Sequence, residues 1–462
     1  MERRRVVAAA VGLGVALAPL ALVPHASAVP SAVPSAPRVL HVRGDFDGDG
    51  VTDLAVGAPR AGQVRVVYSR LRHHGSHVVR LAGQADSGFG TALATGDVNG
   101  DGYADLLVGA PRYRVTDPQT GTHQVGGVVV HLGSATGLHA TATPVTGRVA
   151  DEPARLGDVL TAGDVDGDGI DDLVTVREVG QTYLVEYYRG THDGFGADPT
   201  QELVGSVATS IALGDVNGDG HLDLVTSAPR DLVDGCVQGD VVVYNGTPAH
   251  TFETMPTLIT GTRVGYVDLG LGLVLGDVDH DGYDDAVVGA GAFYGEPDGP
   301  GSVVWLRGGP DGLDPTPRAE VIERDLTPHW RPTDGFGASL ALTDAGVLIG
   351  APQARVAGHL WAGAVYAVPY GADWVDPDRA TRITQRTPGV PGRLRDDARF
   401  GFSLFLGPPG AHQALAIGVP QLSDAAPGGA VRIPLVDGRL RPARATGTFA
   451  DRRGTGLGWS LG

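Results

Sequence analysis

The chain has 462 residues, with 53 acidic and 35 basic side chains and a formal charge of −18. That balance disfavours nucleic acid and anionic membrane surfaces as partners. Glycine supplies 71 residues, about twice the usual share of roughly 7%, as many short strands and tight turns require.

The first residues carry an export signature. Arg3 to Arg5 form a basic start, Val6 to Val23 an apolar stretch, and Ala26-Ser27-Ala28 a small-residue cleavage site. Residues 1–28 therefore read as a secretory signal peptide, to be set aside from the fold. The arginine pair ahead of apolar residues leaves the twin-arginine and general export routes both open. Residues 29–37, VPSAVPSAP, read as a short extended Ala/Pro linker. With no second apolar segment, lipid-acceptor cysteine near the cleavage site or sorting tail, the expectation is a secreted, extracellular monomer without a membrane span. Every basic residue is arginine, as a G+C-rich coding sequence gives. Cys236 is the single cysteine, so no intramolecular disulfide can form and an exported fold needs another brace.

From residue 45 onward one pattern, D-x-[D/N]-x-D-G-x-x-D, recurs five times. The copies are DFDGDGVTD (45–53), DVNGDGYAD (97–105), DVDGDGIDD (164–172), DVNGDGHLD (215–223) and DVDHDGYDD (277–285). Oxygen ligands at alternate positions with a glycine at the turn suit a hard cation, and calcium is the natural candidate. In the second loop Asp97, Asn99 and Asp101 point inward, Tyr103 offers its backbone carbonyl and Asp105 closes the site. The same places are Asp45, Asp47, Asp49, Val51 and Asp53 in the first loop, and Asp164, Asp166, Asp168, Ile170 and Asp172 in the third. They are Asp215, Asn217, Asp219, His221 and Asp223 in the fourth, and Asp277, Asp279, Asp281, Tyr283 and Asp285 in the fifth. The prediction is about five structural Ca²⁺ ions. Loss of residues 1–28 would take the formal charge from −18 to −20, and five such ions would answer half of it. An EF-hand is rejected, because position twelve is Val56 or Val108 inside a strand rather than a glutamate between helices.

Spacing of 50 to 70 residues makes the chain a repeat array. Each loop follows a strand-like run, as in FGTALATGD (89–97) or LGLGLVLGD (269–277). Each is followed by a buried-strand run ended by Gly, Ala or Pro: DLAVGAP (53–59), DLLVGAP (105–111), DLVTSAP (223–229), DAVVGAG (285–291). A further strand comes next, as in GGVVVHLG (126–133) and GSVVWLRG (301–308). Two more units, 336–352 and 400–420, keep the strands; the first retains only Asp344 of the ligands and the second retains none. GLGWSLG (456–462) is the start of an eighth and matches GFGTALA (88–94). It supplies the first strand that unit one lacks, so the two termini are expected to complete one blade and close a ring.

Phe-Gly at 89–90, 336–337 and 400–401, the Asp-rich loop, and Gly-Ala-Pro at 57–59, 109–111 and 350–352 together resemble the FG-GAP repeat of the integrin α-subunit N-terminal β-propeller, in a secreted bacterial type. The resemblance covers roughly residues 38–462. It implies an all-β, seven-bladed propeller of four-stranded antiparallel blades, with calcium in the hairpin between the first and second strands of five of them.

Several motifs compete with this reading. Arg43-Gly44-Asp45 spells an adhesion tripeptide, but Asp45 is the first ligand of the first loop. Gly458-Trp459-Ser460-Leu461-Gly462 matches a nucleophile elbow, yet it occupies the repeat position of GASLA (337–341) and GFSLF (401–405) with no helix to follow. His73, His74 and His77 read as a solvated loop. Asn245-Gly246-Thr247 is a glycosylation acceptor only in a host with the machinery.

In an antiparallel meander the metal hairpins occupy one rim, and loops two to three and the inter-blade links occupy the other. The long insertions 112–125, 291–301 and 353–363 and the link 327–335 fall on that second rim. They present a candidate ligand face of Tyr113, Arg114, His123, Phe293, Tyr294, Trp330, Arg331, His359 and Trp361. Aromatics with arginine suit an extracellular protein or carbohydrate. The expectation is a binding or adhesion module. The alternative is an extracellular hydrolase or lyase with its site at the central mouth, which needs a His or carboxylate constellation near the axis.

Overall fold

The computed structural model describes residues 44–462 apart from 70–77, 149–152, 181, 206–207, 229–238, 267, 292–298, 373, 409–412, 422–427, 437–438 and 450–454. The signal peptide, the linker, Arg43, the His73–His77 run, Cys236, Phe293 and Tyr294 lie outside the described residues.

The aliphatic runs form antiparallel sheets in sequence order, making a seven-bladed β-propeller. Blade 2 runs through Leu93–Gly96, Asp105–Gly109, Gly127–His131 and Thr143–Thr146. Blade 3 is Ala154–Gly163, Asp172–Val179, Thr182–Tyr188 and Gln201–Gly205, and blade 4 is Ser210–Gly214, Asp223–Ala228, Asp240–Tyr244 and Thr257–Thr260. Blade 5 is Leu273–Gly276, Asp285–Ala290, Ser302–Leu306 and Ala319–Ile322, and blade 6 is Ser339–Thr343, Gly346–Ala351, Ala364–Pro369 and Thr381–Ile383. Blade 7 is Leu404–Leu406, Ala414–Val419, Gly429–Val436 and Thr446–Phe449, with Arg439–Leu440 extending its third strand's hairpin. Blade 1 takes Leu54–Ala58, Gln63–Val67 and Val78–Ala82 from the start of the array, and Leu461 bridges to Val56 to supply its missing first strand.

Burial explains the sequence pattern. Second strands such as Leu54–Ala58, Asp105–Gly109 and Ala414–Val419 are buried from end to end, so they read as continuous apolar runs rather than alternating ones. Outer strands such as Thr143–Thr146 and Thr257–Thr260 bury one residue in four and show no such run. The core is not one mass. Among the described residues, separate apolar clusters fill the interfaces 1–2, 2–3, 3–4, 4–5, 5–6, 6–7 and 7–1. Each fully buried Val, Leu or Phe in them contributes about 1.5–3 kcal/mol, and each blade depends on both neighbours.

The repeat's glycines are where blades touch. A Cβ on Gly57, in the second strand of blade 1, would stand 2.3 Å from the Gly90 carbonyl oxygen at the start of blade 2. Gly90 itself has φ +92° and donates its N–H to the Gly109 carbonyl at 3.0 Å. The two halves of the repeat are therefore one contact: the Gly of Gly-Ala-Pro makes room for the Gly of the next Phe-Gly. The same approach recurs at Gly289 to Gly337 and Gly350 to Gly401, 2.2 and 2.4 Å.

Two elements depart from the simple repeat. Insertion 112–125 folds on itself as a hairpin, Arg114–Asp117 with Gly121–Gln124. In blade 6 the first hairpin is cut to two residues, Thr343 pairing with Gly346, so no cation loop fits there. Thr343 Oγ1 fills the turn instead, donating to the Gly346 carbonyl at 2.9 Å and accepting from Ala345 N–H at 3.1 Å.

Candidate metal centres and the opposite face

The loops 97–105, 164–172, 215–223 and 277–285 each close the hairpin between a blade's first and second strands, as the spacing predicts, and the loop 45–53 leads into the second strand of blade 1, whose first strand comes from Leu461 and its neighbours. In the second loop Asp97 accepts the N–H groups of Asp101 and Gly102 at 3.0 and 2.9 Å. Asn99 Oδ1 accepts from Asp101 N–H, and Asp101 Oδ1 from Tyr103 N–H, both at 3.0 Å. Gly102 has φ +89° and open space around its missing Cβ, so conformation rather than room requires glycine there. The fifth loop repeats these bonds through Asp277, Asp281 and Tyr283 at 3.0–3.1 Å. Val51, Ile170 and His221 likewise donate their N–H groups to Asp49, Asp168 and Asp219 at 2.8–2.9 Å.

The ninth position also ties the loop to the third strand. Asp53, Asp105, Asp172, Asp223 and Asp285 accept the N–H groups of Ser69, Gly133, Gly190, Gly246 and Gly308 at 2.7–2.8 Å. Burial pushes the carboxyls of Asp53, Asp105 and Asp172 up to about 7, and those of Asp223 and Asp285 up to about 6. Carboxyls this deep need a positive charge to stay ionised.

The donor set fits a divalent cation. Carboxylate oxygens of Asp45, Asp47 and Asp53 lie within 4.8 Å of one another, as do those of Asp164, Asp166 and Asp172, and of Asp277, Asp279 and Asp285. Asp49 Oδ2 and Asp164 Oδ1 are buried carboxylate oxygens with no hydrogen-bond partner. An orphaned buried carboxylate oxygen is costly unless an ion meets it. In the second and fourth loops Asn99 and Asn217 take the third place, each accepting from the fifth position's N–H.

On the opposite rim the candidate face divides by blade. Tyr113 is half-buried, Arg114 exchanges backbone hydrogen bonds with the Gln84 amide at 2.8 and 2.9 Å, and His123 Nε2 meets Thr120 Oγ1 at 2.8 Å. These three belong to blade 2. Trp330 is half-buried and Arg331 exposed between blades 5 and 6. His359 and Trp361 share the blade 6 insertion and are held by the 6–7 link. His359 Nδ1 lies 3.1 Å from Asp396 Oδ1, which also accepts Leu360 N–H at 2.9 Å, and the Arg399 guanidinium stands 5.3 Å from the Trp361 ring. Trp361 is 46% exposed at φ +51°. An exposed indole held in the left-handed region by fixed neighbours is a pre-set contact.

The serine of the elbow-like motif is a strand residue. Ser460 Oγ donates to the Gly90 carbonyl at 2.8 Å, as Ser339 Oγ does to Gly401 at 2.8 Å. Sequence reading missed Arg189, Arg307, Asp171 and Asp284 beside the cation loops. Their signal was present: an Arg-Gly after the third strand and an aspartate at position eight, both in loops three and five.

Reasoning from sequence also missed a buried acid pair beside the blade 5–6 link. Glu323 is fully buried and Asp334 is 2% exposed. Desolvation, with Asp334 adding repulsion, pushes Glu323 up to about 8, and Asp334 is pushed up to about 6 chiefly by desolvation. Arg382 faces both, Arg331 faces Asp334, and Tyr366 OH donates to Glu323 at 3.4 Å. A folded pKa above the ordinary 4.5 means the folded state holds the proton more tightly. This stabilisation is complete below pH 4.5 and is lost as pH rises through about 8. Glu323→Gln should therefore melt with wild type at pH 4.5 and above it at pH 9 in saturating calcium. Melting curves whose difference ignores pH would refute this.

Comparison with known proteins follows the same lines. The family profile described as FG-GAP repeat matches residues 89–130, and that described as FG-GAP-like repeat matches 45–108 and 130–226. Integrin alpha-PS2 of Drosophila melanogaster is 34% identical over 245 residues, 49% of this chain and 17% of the relative. Integrin alpha-V of Gallus gallus is 31% identical over 201 residues and integrin alpha-IIb of Homo sapiens 32% over 204, each 40% of this chain and 19% of the relative. The chain thus spans about a fifth of the length of the curated relatives it matches. Among the described residues no helix is long and apolar enough to cross a membrane.

Proposed function

The chain is an FG-GAP-repeat β-propeller of the integrin α-subunit type, and on that premise we propose that it is a secreted, calcium-braced binding or adhesion module. The observation that carries the calcium reading is the convergence of first, third and ninth carboxylates within 4.8 Å in three loops, together with the orphaned oxygens of Asp49 and Asp164. All donors are hard oxygens in a flexible loop, the set Ca²⁺ takes and thiolate- or imidazole-seeking metals do not. Up to five ions would sit in the loops 45–53, 97–105, 164–172, 215–223 and 277–285. Export rests on the sequence of residues 1–28.

Binding is assigned to the rim opposite the loops, with Trp361, His359, Trp330 and Arg331 as its centre and Tyr113, Arg114 and His123 as a second patch. The partner is an extracellular protein or carbohydrate, the chemistry that an exposed indole beside guanidinium and carboxylate recognises. The test is a glycan and matrix-protein array probed with the purified chain in calcium. Trp361→Ala should weaken the strongest interaction by about 2 kcal/mol, roughly 30-fold, without moving the melting temperature of a side chain already half exposed. An array that stays blank, or a ligand indifferent to Trp361 and His359, would sink the assignment.

A further inference from the structure

The five loops are not equivalent. Loops two and four carry asparagine at position three, whereas loops three and five carry Asp166 and Asp279 there and add a carboxylate at position eight, Asp171 and Asp284. These extra carboxylates reach the preceding blade. Asp171 Oδ2 accepts the N–H of Asp97, first residue of loop two, at 2.9 Å, and Asp284 Oδ2 accepts that of Asp215, first residue of loop four, at 3.0 Å. Return bonds run from Asp171 N–H to the Asp97 carbonyl at 2.8 Å and from Asp284 N–H to the Asp215 carbonyl at 2.9 Å. Cβ atoms on Gly96 and Gly214 would stand 2.6 and 2.7 Å from those carboxylates, so both passages are kept clear by glycine. Between loops one and two the counterpart is Ala104, which supplies the backbone bond to Asp45 at 3.2 Å and has no carboxylate.

The same two loops are clamped by arginine. Arg189 Nε contacts Asp166 Oδ2, and its Nη2 lies 2.8 Å from Asp168 Oδ2. Arg307 repeats the grip, Nε at 2.7 Å from Asp279 Oδ2 and Nη2 at 2.6 Å from Asp281 Oδ2. One guanidinium edge spans positions three and five in both. At the matching place loops two and four have Leu132 and Asn245. At the ligand positions, loops three and five set four aspartates against an arginine, and loops two and four carry three aspartates.

We propose that loops two to five work as two coupled cation-binding pairs, two with three and four with five. Each pair has an open member, and a clamped member whose arginine must yield oxygens to the ion. This rests on the calcium reading above. Asp171 and Asp284 are the positioning residues of the coupling. An ion in the open loop fixes Asp97 or Asp215, and that residue is the one its partner's eighth residue grips through both N–H and carbonyl. Ordering the shared residue once favours the second ion. Arg189 and Arg307 act as resident counter-ions that hold the clamped loops when calcium is absent and lower their affinity for it.

The test is calcium titration of the purified full chain by calorimetry, with melting in EGTA alongside. Wild type should show two affinity classes about tenfold or more apart, within the usual range of coupling. Arg189→Gln with Arg307→Gln should tighten the weaker class about tenfold and lower the EGTA melting temperature, leaving the calcium-loaded one in place. Asp171→Ala with Asp284→Ala should weaken the tighter class, which sits in loops those residues do not belong to. A structural role alone would move melting and not that affinity. Equivalent independent sites in wild type, or arginine variants that change neither affinity, would overturn the pairing while leaving calcium binding intact. A chain that binds no calcium would overturn both.

Discussion

Chelation with EGTA is expected to lower the melting temperature of the purified chain by about 15 °C, and restored calcium should bring it back. A ligand that binds only the folded state adds about 2.7 kcal/mol per site at a hundredfold excess over its dissociation constant. Five sites then give on the order of 13 kcal/mol. Unfolding entropy of roughly 2.1 cal/mol/K per residue, taken over residues 41–462, converts that into the stated shift. Without the ion, the carboxylates of each loop repel one another, opposed only by the loop's own hydrogen bonds and, in loops three and five, by Arg189 and Arg307. Blade 6, whose hairpin is a two-residue turn, should be the most indifferent. Magnesium is a useful contrast, because its small octahedral shell fits a wide loop poorly. Unchanged melting in EGTA, with no calcium found by elemental analysis, would remove the metal and the brace together.

What the sequence made legible follows from where each residue is buried. The Asp-rich loops are local, nine residues each, and most second and third strands carry a buried aliphatic run, so both could be read directly. Outer strands such as Gln201–Gly205 are half exposed and carry no period. The third strand of blade 3, TYLVEYY at Thr182–Tyr188, lacks the Gly-led valine run of its counterparts and escaped notice. Contacts across blades were the least legible. Arg189 lies 21 residues from Asp168 and Asp171 lies 74 from Asp97, distances no local pattern spans. Ring closure was the exception, because GLGWSLG copies the start of another blade.

Closure gives the second large effect. Deleting residues 456–462 should leave blade 1 without its first strand and the ring open. The segment holds Ala55 and Gly57 through five backbone bonds of 2.8–3.3 Å, with Gly462, Ser460, Trp459 and Gly458. Leu457 and Leu461, 2% and 9% exposed, pack with Leu54, Val56 and Ala58 of blade 1 and Ala416 and Ala430 of blade 7. Removing two buried leucines at about 2–5 kcal/mol each approaches the 5–15 kcal/mol that typically holds a fold. The truncated chain should therefore melt far lower or collect in the insoluble fraction. A single substitution tests the same joint in a chain that folds. Gly458 has φ +93°, and a Cβ there would stand 1.9 Å from the Gly429 carbonyl oxygen, which is backbone and cannot swing aside. Gly312 has φ +87° with nothing within 4 Å, so Gly312→Ala carries the conformational strain alone, about 1–2 kcal/mol. Gly458→Ala should cost well over that, since it also pries blade 7 from the closing strand. Equal losses for the two alanines, or a truncated chain that melts with the intact one, would mean the termini do not hold the ring shut.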